Sequence, residues 1–274
     1  MKRVVLVTGA SGGIGLEACL RFIEKGYEVY GAARHLDKME ELVKKGGHAV
    51  YLDLTDEKSV DECVNKVIKE QGRVDVLVNN AGYAAGGSLE EVPLEDARRQ
   101  FEVNVFALIL MIKKILPVMR TQKNGRIINI SSVAGRFSSP FLGWYHAAKY
   151  SVEALSDSLR LETADFGIKV ILVEPGLIRT SWGNIAADSI RQVSGSGVYS
   201  AQAEKIASFY EVNYRGKGKI SAPSAVARCI VKAACKKHPA LRYSPGRGAK
   251  ALIFITRFLP AKLYDFFCRK FFGI

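Results

Sequence analysis

Short apolar runs rich in β-branched residues alternate along the chain with longer segments in which apolar residues recur at helical spacing. A continuous apolar run of a few residues is typical of a buried parallel strand, whereas apolar residues three and four apart indicate an amphipathic helix. The two patterns alternate about every 20–30 residues along the chain. This alternation predicts an α/β protein with a doubly wound parallel sheet.

The predicted elements follow one another in regular order. Strands are predicted at residues 4–8, 27–34, 48–54, 75–79, 125–132 and 169–174, with a short final strand at 241–244. Helices are predicted at residues 16–25, 37–45, 55–71, 93–119, 144–166, 202–214 and 222–237. Thr55 is the expected N-cap of the third helix. No internal repeat or low-complexity linker interrupts this order, so residues 1–274 are predicted to form a single domain.

Composition places the chain among ordinary globular proteins. It has 274 residues, 48% apolar and 24% charged, enough to bury a substantial core. The apolar run near the first residue is too short for a signal peptide or a membrane span. Five scattered cysteines and four unclustered histidines argue against a disulfide framework and a metal site. We therefore expect a reducing, cytoplasmic setting and no bound metal.

The net charge of +13 is unevenly distributed. Residues 1–175 contain 23 Lys/Arg and 23 Asp/Glu, whereas residues 200–274 contain 15 Lys/Arg and three Asp/Glu. The basic character therefore belongs to the last quarter of the chain. No nucleic-acid-binding motif accompanies it, so a nucleic-acid partner is not expected.

A glycine-rich turn joins the first predicted strand to the first predicted helix. Residues 8–15 read TGASGGIG, with glycine at positions 9, 12, 13 and 15. Glycines let the backbone approach a pyrophosphate closely, and the N–H groups at a helix start favour its negative charge. One glycine would suffice for an ordinary strand-to-helix turn. Four of them in this context predict a dinucleotide site.

The end of the second predicted strand bears on the choice between NAD and NADP. An acid at this position would accept a hydrogen bond from the ribose 2′-hydroxyl of NAD. Here Ala32 and Ala33 are followed by Arg34, and Asp37 lies three residues further on. A guanidinium suits a 2′-phosphate through its paired N–H donors. The pattern favours NADP.

Polar residues mark the ends of three further strands. Asp53 ends the third, where its carboxylate either reaches the adenine amino group or remains a solvated loop acid. Residues 79–82 (NNAG) follow the fourth, where buried amides need partners and small residues let a ligand approach. Ser132 ends the fifth strand, thirteen residues before Tyr145. A loop of that length lets the two side chains face each other.

Tyr145 and Lys149 stand four residues apart in a predicted helix and therefore share one face. A nearby ammonium lowers the pKa of a phenol from its usual value of about 10. Such a tyrosine can act as a general acid or base. The pair alone is common on solvated helix faces, so its meaning depends on the other motifs. Asn104, a polar residue in an apolar helix stripe, is expected to hold a carbonyl or a water.

Together these motifs resemble the short-chain dehydrogenase/reductase family, in a single-domain branch similar to hydroxysteroid and retinol dehydrogenases. The resemblance covers residues 3–182, with the motifs in the family's order and spacing. It implies a Rossmann-type fold with three α/β/α layers. The matching positions are 8–15, Asp53, 79–82, Asn104, Ser132, Tyr145, Lys149, Pro175, Gly176 and Thr180.

The resemblance also implies roles for these residues. Tyr145 would exchange a proton with the substrate oxygen, and Lys149 would lower the pKa of Tyr145 and bind the nicotinamide ribose. Ser132 would polarise the substrate oxygen, and Asn104 would anchor a water of the proton relay. His146 is expected to be a surface or lining residue. The implied cofactor-binding residues are Gly9, Ser11, Gly13, Ile14, Gly15, Arg34, Asp53, Leu54, Asn80, Ala81, Gly82, Tyr145, Lys149, Pro175, Gly176, Ile178 and Thr180.

The resemblance fades after Ser181. Residues 181–222 are predicted to form a helical lid over the site. Residues 250–274 combine many phenylalanines with basic residues, and Pro260 should divide them into two helices too short to span a bilayer. Two interpretations stay open. The segment packs on the protein body or a partner subunit, or it lies on an anionic membrane surface. Both indicate a lipophilic substrate.

The chain is therefore predicted to be an NADP-dependent oxidoreductase acting on an alcohol/carbonyl pair. Its substrate should be hydrophobic, such as a steroid, a retinoid or a fatty-acyl derivative. Relatives usually assemble through the helices corresponding to residues 94–119 and 144–166, so a homodimer or homotetramer is expected. The alternative is a membrane-surface sensor that holds NADP without turnover. The complete set of candidate catalytic residues argues against that alternative.

Overall fold

The structure is a computed structural model that describes residues 2–215 and 220–274. Its strands are β1 (Val4–Thr8), β2 (Glu28–Ala33), β3 (His48–Tyr51), β4 (Val76–Asn79), β5 (Gly125–Ile130), β6 (Ile168–Val173) and β7 (Arg242–Tyr243). They form one sheet in the order β3-β2-β1-β4-β5-β6-β7, and all neighbouring strands are parallel. The predicted doubly wound parallel sheet is therefore confirmed.

Helices cover both faces of this sheet and one of its edges. They are α1 (Gly13–Glu24), α2 (Glu40–Lys44), α3 (Glu57–Gln71), α4 (Leu94–Phe101), α5 (Ala107–Gln122), α6 (Gly143–Glu162), α7 (Trp182–Ser194), α8 (Ser200–Arg215), α9 (Pro223–Cys235), α10 (Ala249–Phe258) and α11 (Ala261–Phe272). No described helix is long and apolar enough to cross a membrane.

The three layers follow from the alternation of side chains along the strands. In β1, Val4 and Leu6 point into a core shared with α3, α5 and α6. Val5 and Val7 point to the opposite face, into a core shared with α1 and α9. Because successive strand residues face opposite sides, a strand buried on both faces needs an unbroken apolar run.

The start of α3 differs from the prediction in its cap. Asp56, not Thr55, is the N-cap, and its carboxylate accepts a hydrogen bond from the backbone N–H of Lys58 at 3.0 Å. The Thr55 hydroxyl donates instead to the Asp53 carboxylate at 2.8 Å. Asp and Thr are both good caps, so the preceding loop decides which of them is used.

Some predicted boundaries are also wrong. The third strand ends at Tyr51, three residues early, and the helix predicted at residues 37–45 is a 3-10 turn (Leu36–Met39) followed by the short α2. The helix predicted at residues 93–119 is divided by a π-helical turn at Glu102–Phe106. By contrast, the predicted break at Pro260 is confirmed, because α10 ends before this residue and α11 begins after it.

The strand order indicates where a ligand-binding crevice lies. It reverses between β1 and β4, since the chain runs outward to β3 before returning to β4. In open parallel sheets, ligands bind at the carboxyl ends of the strands at such a reversal. The loops after β1, β4, β5 and β6 all meet at this edge.

Candidate active site

The loop between β1 and α1 is shaped by its glycines. Gly9 has φ +68° and Gly13 has φ +55°, in the left-handed region that glycine favours. A Cβ at Gly15 would lie only 2.2 Å from the carbonyl oxygen of Gly9, so the two backbone segments touch. The start of α1 lines an open groove, and a Cβ at Gly12 would meet no atom within 4 Å.

Asn80 supports this loop from the neighbouring strand. Its side-chain amide donates hydrogen bonds to the carbonyl oxygens of Thr8 at 3.0 Å and Gly9 at 3.3 Å. Its backbone N–H donates to the Thr8 hydroxyl at 3.0 Å. Asn80 thus fixes the glycine loop against the end of β4.

A second set of amides joins the sheet to α6. The Asn79 side chain donates to the side-chain oxygen of Asn129 at 2.9 Å, and Asn129 donates to the Ser156 hydroxyl at 2.9 Å. All three residues are buried. This polar chain across β4, β5 and α6 gives the amide nitrogen of the buried Asn79 a partner, whereas its amide oxygen has none among the described residues.

A single cavity contains most of the predicted cofactor-binding positions. Those on its wall are Gly9, Ser11, Gly13, Ile14, Arg34, Asp53, Leu54, Asn80, Ala81, Gly82, Tyr145, Lys149, Pro175, Gly176, Ile178 and Thr180. Gly15 is not on the wall, because its backbone is packed against Gly9. Its predicted contact with the cofactor stays a prediction, and its lack of a side chain lets α1 approach the loop.

Arg34 and Asp53 lie together at one end of the cavity. The Asp53 carboxylate accepts hydrogen bonds from the backbone N–H of Thr55 at 3.0 Å and from its hydroxyl. The backbone hydrogen bond is the main reason that the pKa of Asp53 lies below its usual range, and the charge of Arg34 adds to the effect. Arg34 is exposed, and Lys38 lines the same end. This end of the cavity is therefore suited to an additional anionic group.

Asn104 lies in the π-helical turn and is buried behind the cavity wall. Its side chain accepts a hydrogen bond from the backbone N–H of Tyr83 at 3.2 Å and donates to the Tyr83 carbonyl at 2.9 Å. A Cβ at Gly82 would be 3.1 Å from the Asn104 amide oxygen. Asn104 therefore holds a carbonyl, one of the two predicted outcomes, and fixes the backbone beside Gly82. A π-turn of this kind is common at functional sites.

Tyr145, Ser132 and Lys149 converge where the end of β5 meets the first turns of α6. Tyr145 and Lys149 are buried, and a side-chain hydrogen bond joins Tyr145 to Ser132. The Lys149 ammonium lies 5.8 Å from the centre of the Tyr145 ring and donates to the carbonyl oxygen of Ile130 at 2.9 Å. The three side chains predicted to handle the proton are thus brought together.

The electrostatics of this group differ from the prediction. Burial raises the pKa of Tyr145 to about 12, and the hydrogen bond from Ser132 opposes that shift only in part. Burial also lowers the pKa of Lys149 to about 8. The rise in the pKa of Tyr145 is opposite in direction to the expected lowering of that pKa by Lys149. Both groups have lost water, and desolvation is the largest contribution to each shift.

A buried charge cluster lies one helical turn beyond Lys149. The carboxylate of Glu153 accepts a hydrogen bond from Arg242 at 3.1 Å, and Arg242 lies 3.3 Å from Glu174. The negative charge of Glu153 partly opposes the fall in the pKa of Lys149. The sequence prediction missed this cluster. The spacing of four residues between Lys149 and Glu153 was a signal. The other members of the cluster are distant in sequence, because Glu174 directly follows β6 and Arg242 lies in β7.

His146 organises the loop between β5 and α6. The backbone N–H of Ser139 donates to its Nε2 at 3.1 Å, so the proton is on Nδ1, which donates to the Phe137 carbonyl at 2.6 Å. The side chain lines the cavity but is buried, which corrects the alternative of a surface residue. Burial lowers the pKa of His146 below 6.5.

This burial makes folding stability depend on pH. The unfolded chain binds a proton at His146 near pH 6.5, whereas the folded chain binds it only at lower pH. Stability is therefore lost as the pH falls below about 6.5, by at most about 1.4 kcal/mol per pH unit for one proton. Urea unfolding at pH 8 to 5 should show a shallower loss in His146→Gln than in the wild type. His238→Gln, at an exposed position, should follow the wild type. An equal slope in all three proteins would contradict this prediction.

Aromatic residues from α7 and α8 form the wall opposite Tyr145. Trp182 lies 5.0 Å from Tyr145, 5.9 Å from Tyr210 and 6.0 Å from Tyr214, between ring centres. Gly183 lies under the ring of Tyr214, where a Cβ would come within 2.1 Å of a ring carbon. These helices lie within the region predicted as a lid, residues 181–222, of which residues 216–219 are outside the described residues. The sequence prediction did not identify their aromatic residues as site residues, because nothing in their spacing connects them to Tyr145.

The cavity is large enough for two ligands side by side. It has a volume of about 2010 Å³, compared with roughly 300–1,000 Å³ for a typical small-molecule site. It extends from the glycine loop past Tyr145 to residues of α10 and α11. The close backbone contacts, the open helix start and Arg34 fit a dinucleotide at one end. Among the described residues no group of His, Cys, Asp and Glu could hold a metal ion.

The sequence matches a known family over most of its length. The family profile described as short chain dehydrogenase matches residues 3–189. The chain is 34% identical over 273 residues to 3-ketodihydrosphingosine reductase of Bacteroides thetaiotaomicron, covering 99% of this chain and 98% of that protein. It is 41% identical over 191 residues to NADPH-dependent 3-dehydrocapnine reductase of Ornithobacterium rhinotracheale, covering 66% and 68%.

Solved structures give the same result. A short-chain dehydrogenase from Streptomyces avermitilis superposes with a TM-score of 0.80 at 33% identity, covering 93% of this chain and 91% of that one. A metagenomic short-chain oxidoreductase in complex with NADP gives 0.68 at 26% identity, covering 89% and 97%. An NAD+-bound xylitol dehydrogenase gives 0.73 at 27% identity, covering 88% and 96%. Among the structures similar to this chain, one thus contains NADP and another contains NAD+.

Proposed function

This chain belongs to the short-chain dehydrogenase/reductase family, and we propose that it is an NADPH-dependent reductase of a ketone on a lipophilic molecule. The oxidoreductase class follows from the family. The observation that carries the finer proposal is the continuity of the cavity, which joins the glycine loop, Tyr145 and the aromatic wall in one space.

The protonated hydroxyl of Tyr145 fits the proton-donating step of ketone reduction. Because burial raises the pKa of Tyr145 to about 12, its hydroxyl carries a proton at neutral pH. A protonated phenol can donate to a substrate oxygen as negative charge develops on it. Alcohol oxidation is the reverse of this step and would use the phenolate as the base.

Each of the other residues would position or stabilise a group. The Ser132 hydroxyl would hydrogen-bond to the substrate oxygen beside Tyr145, and Lys149 would hold the ribose end of the dinucleotide. The start of α1 would bind the pyrophosphate, and Ile178 and Thr180 would line the nicotinamide end. When bound, the reduced nicotinamide supplies the hydride. Asn104 would position the backbone at Gly82, whether or not it also anchors a water.

The choice of NADP rests on Arg34. We expect Arg34→Ala to weaken NADPH binding by about 10- to 100-fold, because a charge-assisted pair contributes about 1.5–3 kcal/mol. NADH binding should change little, since it has no 2′-phosphate. Dissociation constants for both dinucleotides, measured by fluorescence titration, test this. Lys45→Ala, at an exposed position at the end of α2, is the control. Equal losses for NADPH and NADH in Arg34→Ala would contradict the assignment.

The aromatic wall supports a lipophilic substrate. Trp182, Tyr210 and Tyr214 offer a ligand a large aromatic surface, with one polar atom on each side chain. Two relatives are named as reductases of 3-ketodihydrosphingosine and 3-dehydrocapnine. A ketone on a long alkyl chain matches both the cavity and these names. Steroids and retinoids, the other expected classes, remain candidates with the same apolar character.

A substrate panel tests the proposed function. The loss of NADPH absorbance would be followed with long-chain ketones, steroid ketones, retinal and short polar ketones. Turnover of a lipophilic ketone in preference to the short polar ketones supports the proposal. An absence of turnover with every compound, together with tight NADP binding and vesicle association, would favour the sensor without turnover.

Assembly and the lid are further proposals. Phe106, next to α5, and Leu161, on α6, are exposed apolar residues on the helices expected to form a dimer or tetramer. Sedimentation velocity tests this, and a monomer at all concentrations would contradict it.

We also propose that α7 and α8 open to admit the substrate. Hydrogen exchange in α7 and α8 should slow when NADP and an alcohol product bind.

A further inference from the structure

Helices α10 and α11 cover the mouth of the cavity but contribute almost nothing to the core. Ala249 is their only buried residue. They are attached by a few contacts: the Tyr264 hydroxyl donates to the Ser138 carbonyl, and the Phe272 ring lies 5.4 Å from Phe209. Two helices with this little burial have most of their apolar surface available to something outside the chain.

The apolar residues of these helices point in two directions. Leu252, Leu259 and Tyr264 line the cavity. Phe254 and Phe258 are outside it and are 67% and 66% exposed, with ring centres 5.1 Å apart. Leu263 and Phe266 of α11 are likewise exposed and outside the cavity wall. We call Phe254, Phe258, Leu263 and Phe266, with the cations around them, the C-terminal face. Exposed apolar patches of this kind mark interaction sites.

The charge of the C-terminal face identifies its partner. Residues 250–274 contain five cations and one acid, Asp265. The Arg257 guanidinium lies 5.8 Å from the centre of the Phe258 ring, so charge and aromatic surface are adjacent. Basic residues beside phenylalanines are typical of helices that lie in the interface of an anionic bilayer. A second copy of the chain would place one positively charged face against another, which is unfavourable.

We propose that the C-terminal face docks on an anionic membrane surface, with the mouth of the cavity against the bilayer. Phe254 and Phe258 then enter the headgroup boundary, and the cations contact lipid phosphates and carboxylates. Lipid substrate can pass from the bilayer along Leu252 and Leu259 toward Tyr145 without crossing water. That passage rests on the proposed function, whereas the docking does not.

Vesicle co-sedimentation of the full chain tests the docking. The wild type should bind vesicles of phosphatidylcholine with phosphatidylserine, bind phosphatidylcholine alone more weakly, and lose binding as salt is raised. Phe254→Ser/Phe258→Ser should bind the anionic vesicles at least about 10-fold more weakly. Phe166→Ser is the matched control and should bind like the wild type. Phe166 is exposed in the turn before β6, at the amino end of that strand.

A charge-reversed variant separates the electrostatic contribution. Lys262→Glu/Arg269→Glu changes two exposed cations of α11 and should lose most of the preference for anionic vesicles. Circular dichroism and NADPH binding equal to those of the wild type would show that each variant is folded. The preference should persist in Lys236→Glu/Lys237→Glu, which changes two exposed cations after α9.

Three results would overturn the docking. The first is that the wild type does not bind anionic vesicles. The second is that Phe166→Ser loses as much vesicle binding as Phe254→Ser/Phe258→Ser. The third is that Phe254→Ser/Phe258→Ser changes its oligomeric state without a change in vesicle binding. The last would make the face a protein interface. Turnover of a ketone dispersed in detergent is measured separately. Vesicle binding without turnover contradicts only the proposed function, and turnover without vesicle binding contradicts only the docking.

Discussion

Replacing Tyr145 by phenylalanine should lower kcat for ketone reduction by about 10²- to 10⁴-fold, the usual contribution of a positioned general acid. The variant lacks only the hydroxyl that carries the proton. Its ring can keep the contact with Trp182, whose centre lies 5.0 Å away. Dinucleotide binding should therefore be unchanged, and the loss should appear in kcat rather than in KM.

Steady-state kinetics of the purified variant measures this effect. Tyr150→Phe is the matched control, because Tyr150 lies on the same helix but is 46% exposed and is not on the cavity wall. It should keep wild-type kcat. If Tyr145→Phe retained more than about a tenth of the wild-type kcat, Tyr145 would not be the proton donor.

Replacing Lys149 by methionine should give a protein that is more stable than the wild type and nearly inactive. Burial lowers the pKa of Lys149 from 10.5 to about 8, which means that the charged form destabilises the fold by about 3 kcal/mol. Methionine removes that charge but also the hydrogen bond to Ile130, which contributes about 1 kcal/mol. A net gain of about 2 kcal/mol remains, and activity should fall by about 10²-fold because the ribose end of the dinucleotide is no longer held.

The pH dependence of this gain has a definite sign. Between pH 8 and 10.5 the unfolded chain binds a proton at Lys149 that the folded chain has lost, so wild-type stability rises with pH. Below pH 8 the full destabilisation is present. The difference between Lys149→Met and the wild type should therefore be largest below pH 8 and shrink toward pH 10.5.

Urea unfolding of the cofactor-free proteins at pH 7 and pH 10 measures the gain. Lys69→Met, at an exposed position on α3, is the control for replacing a lysine by an apolar residue and should change stability little at either pH. A Lys149→Met variant less stable than the wild type at pH 7 would show that Lys149 stabilises the fold, contrary to the pKa argument.

Much of the fold could be predicted because its signals are local. Unbroken apolar runs such as Val4–Thr8 belong to strands buried on both faces, and in β1 alternate side chains do enter different cores. Helix caps and boundaries were less predictable. A rule that uses only the local sequence cannot distinguish Asp56 from Thr55 as the N-cap of α3. Only the contact between Thr55 and Asp53 excludes Thr55 as the cap.

Most of the candidate site was predictable for a related reason. The carboxyl ends of parallel strands lie at one edge of a sheet, so motifs that follow β1, β4 and β5 must meet there. That geometry brings Gly13, Asn80, Ser132 and Tyr145 to one cavity. Gly15 lies off the cavity wall, because a glycine permits close approach without specifying whether a ligand or another backbone segment approaches it.

The sequence by itself determined the fold class, the family and the identities of the side chains expected to handle the proton. The tertiary structure alone decided their electrostatics, because desolvation depends on every segment that surrounds a group. Lys149 and Tyr145 have shifted pKa values because β5 and the aromatic wall exclude water around them. The partners of Glu153, and the two directions in which the apolar residues of α10 and α11 point, were likewise fixed by packing between distant segments. Spacing along the chain does not record such packing.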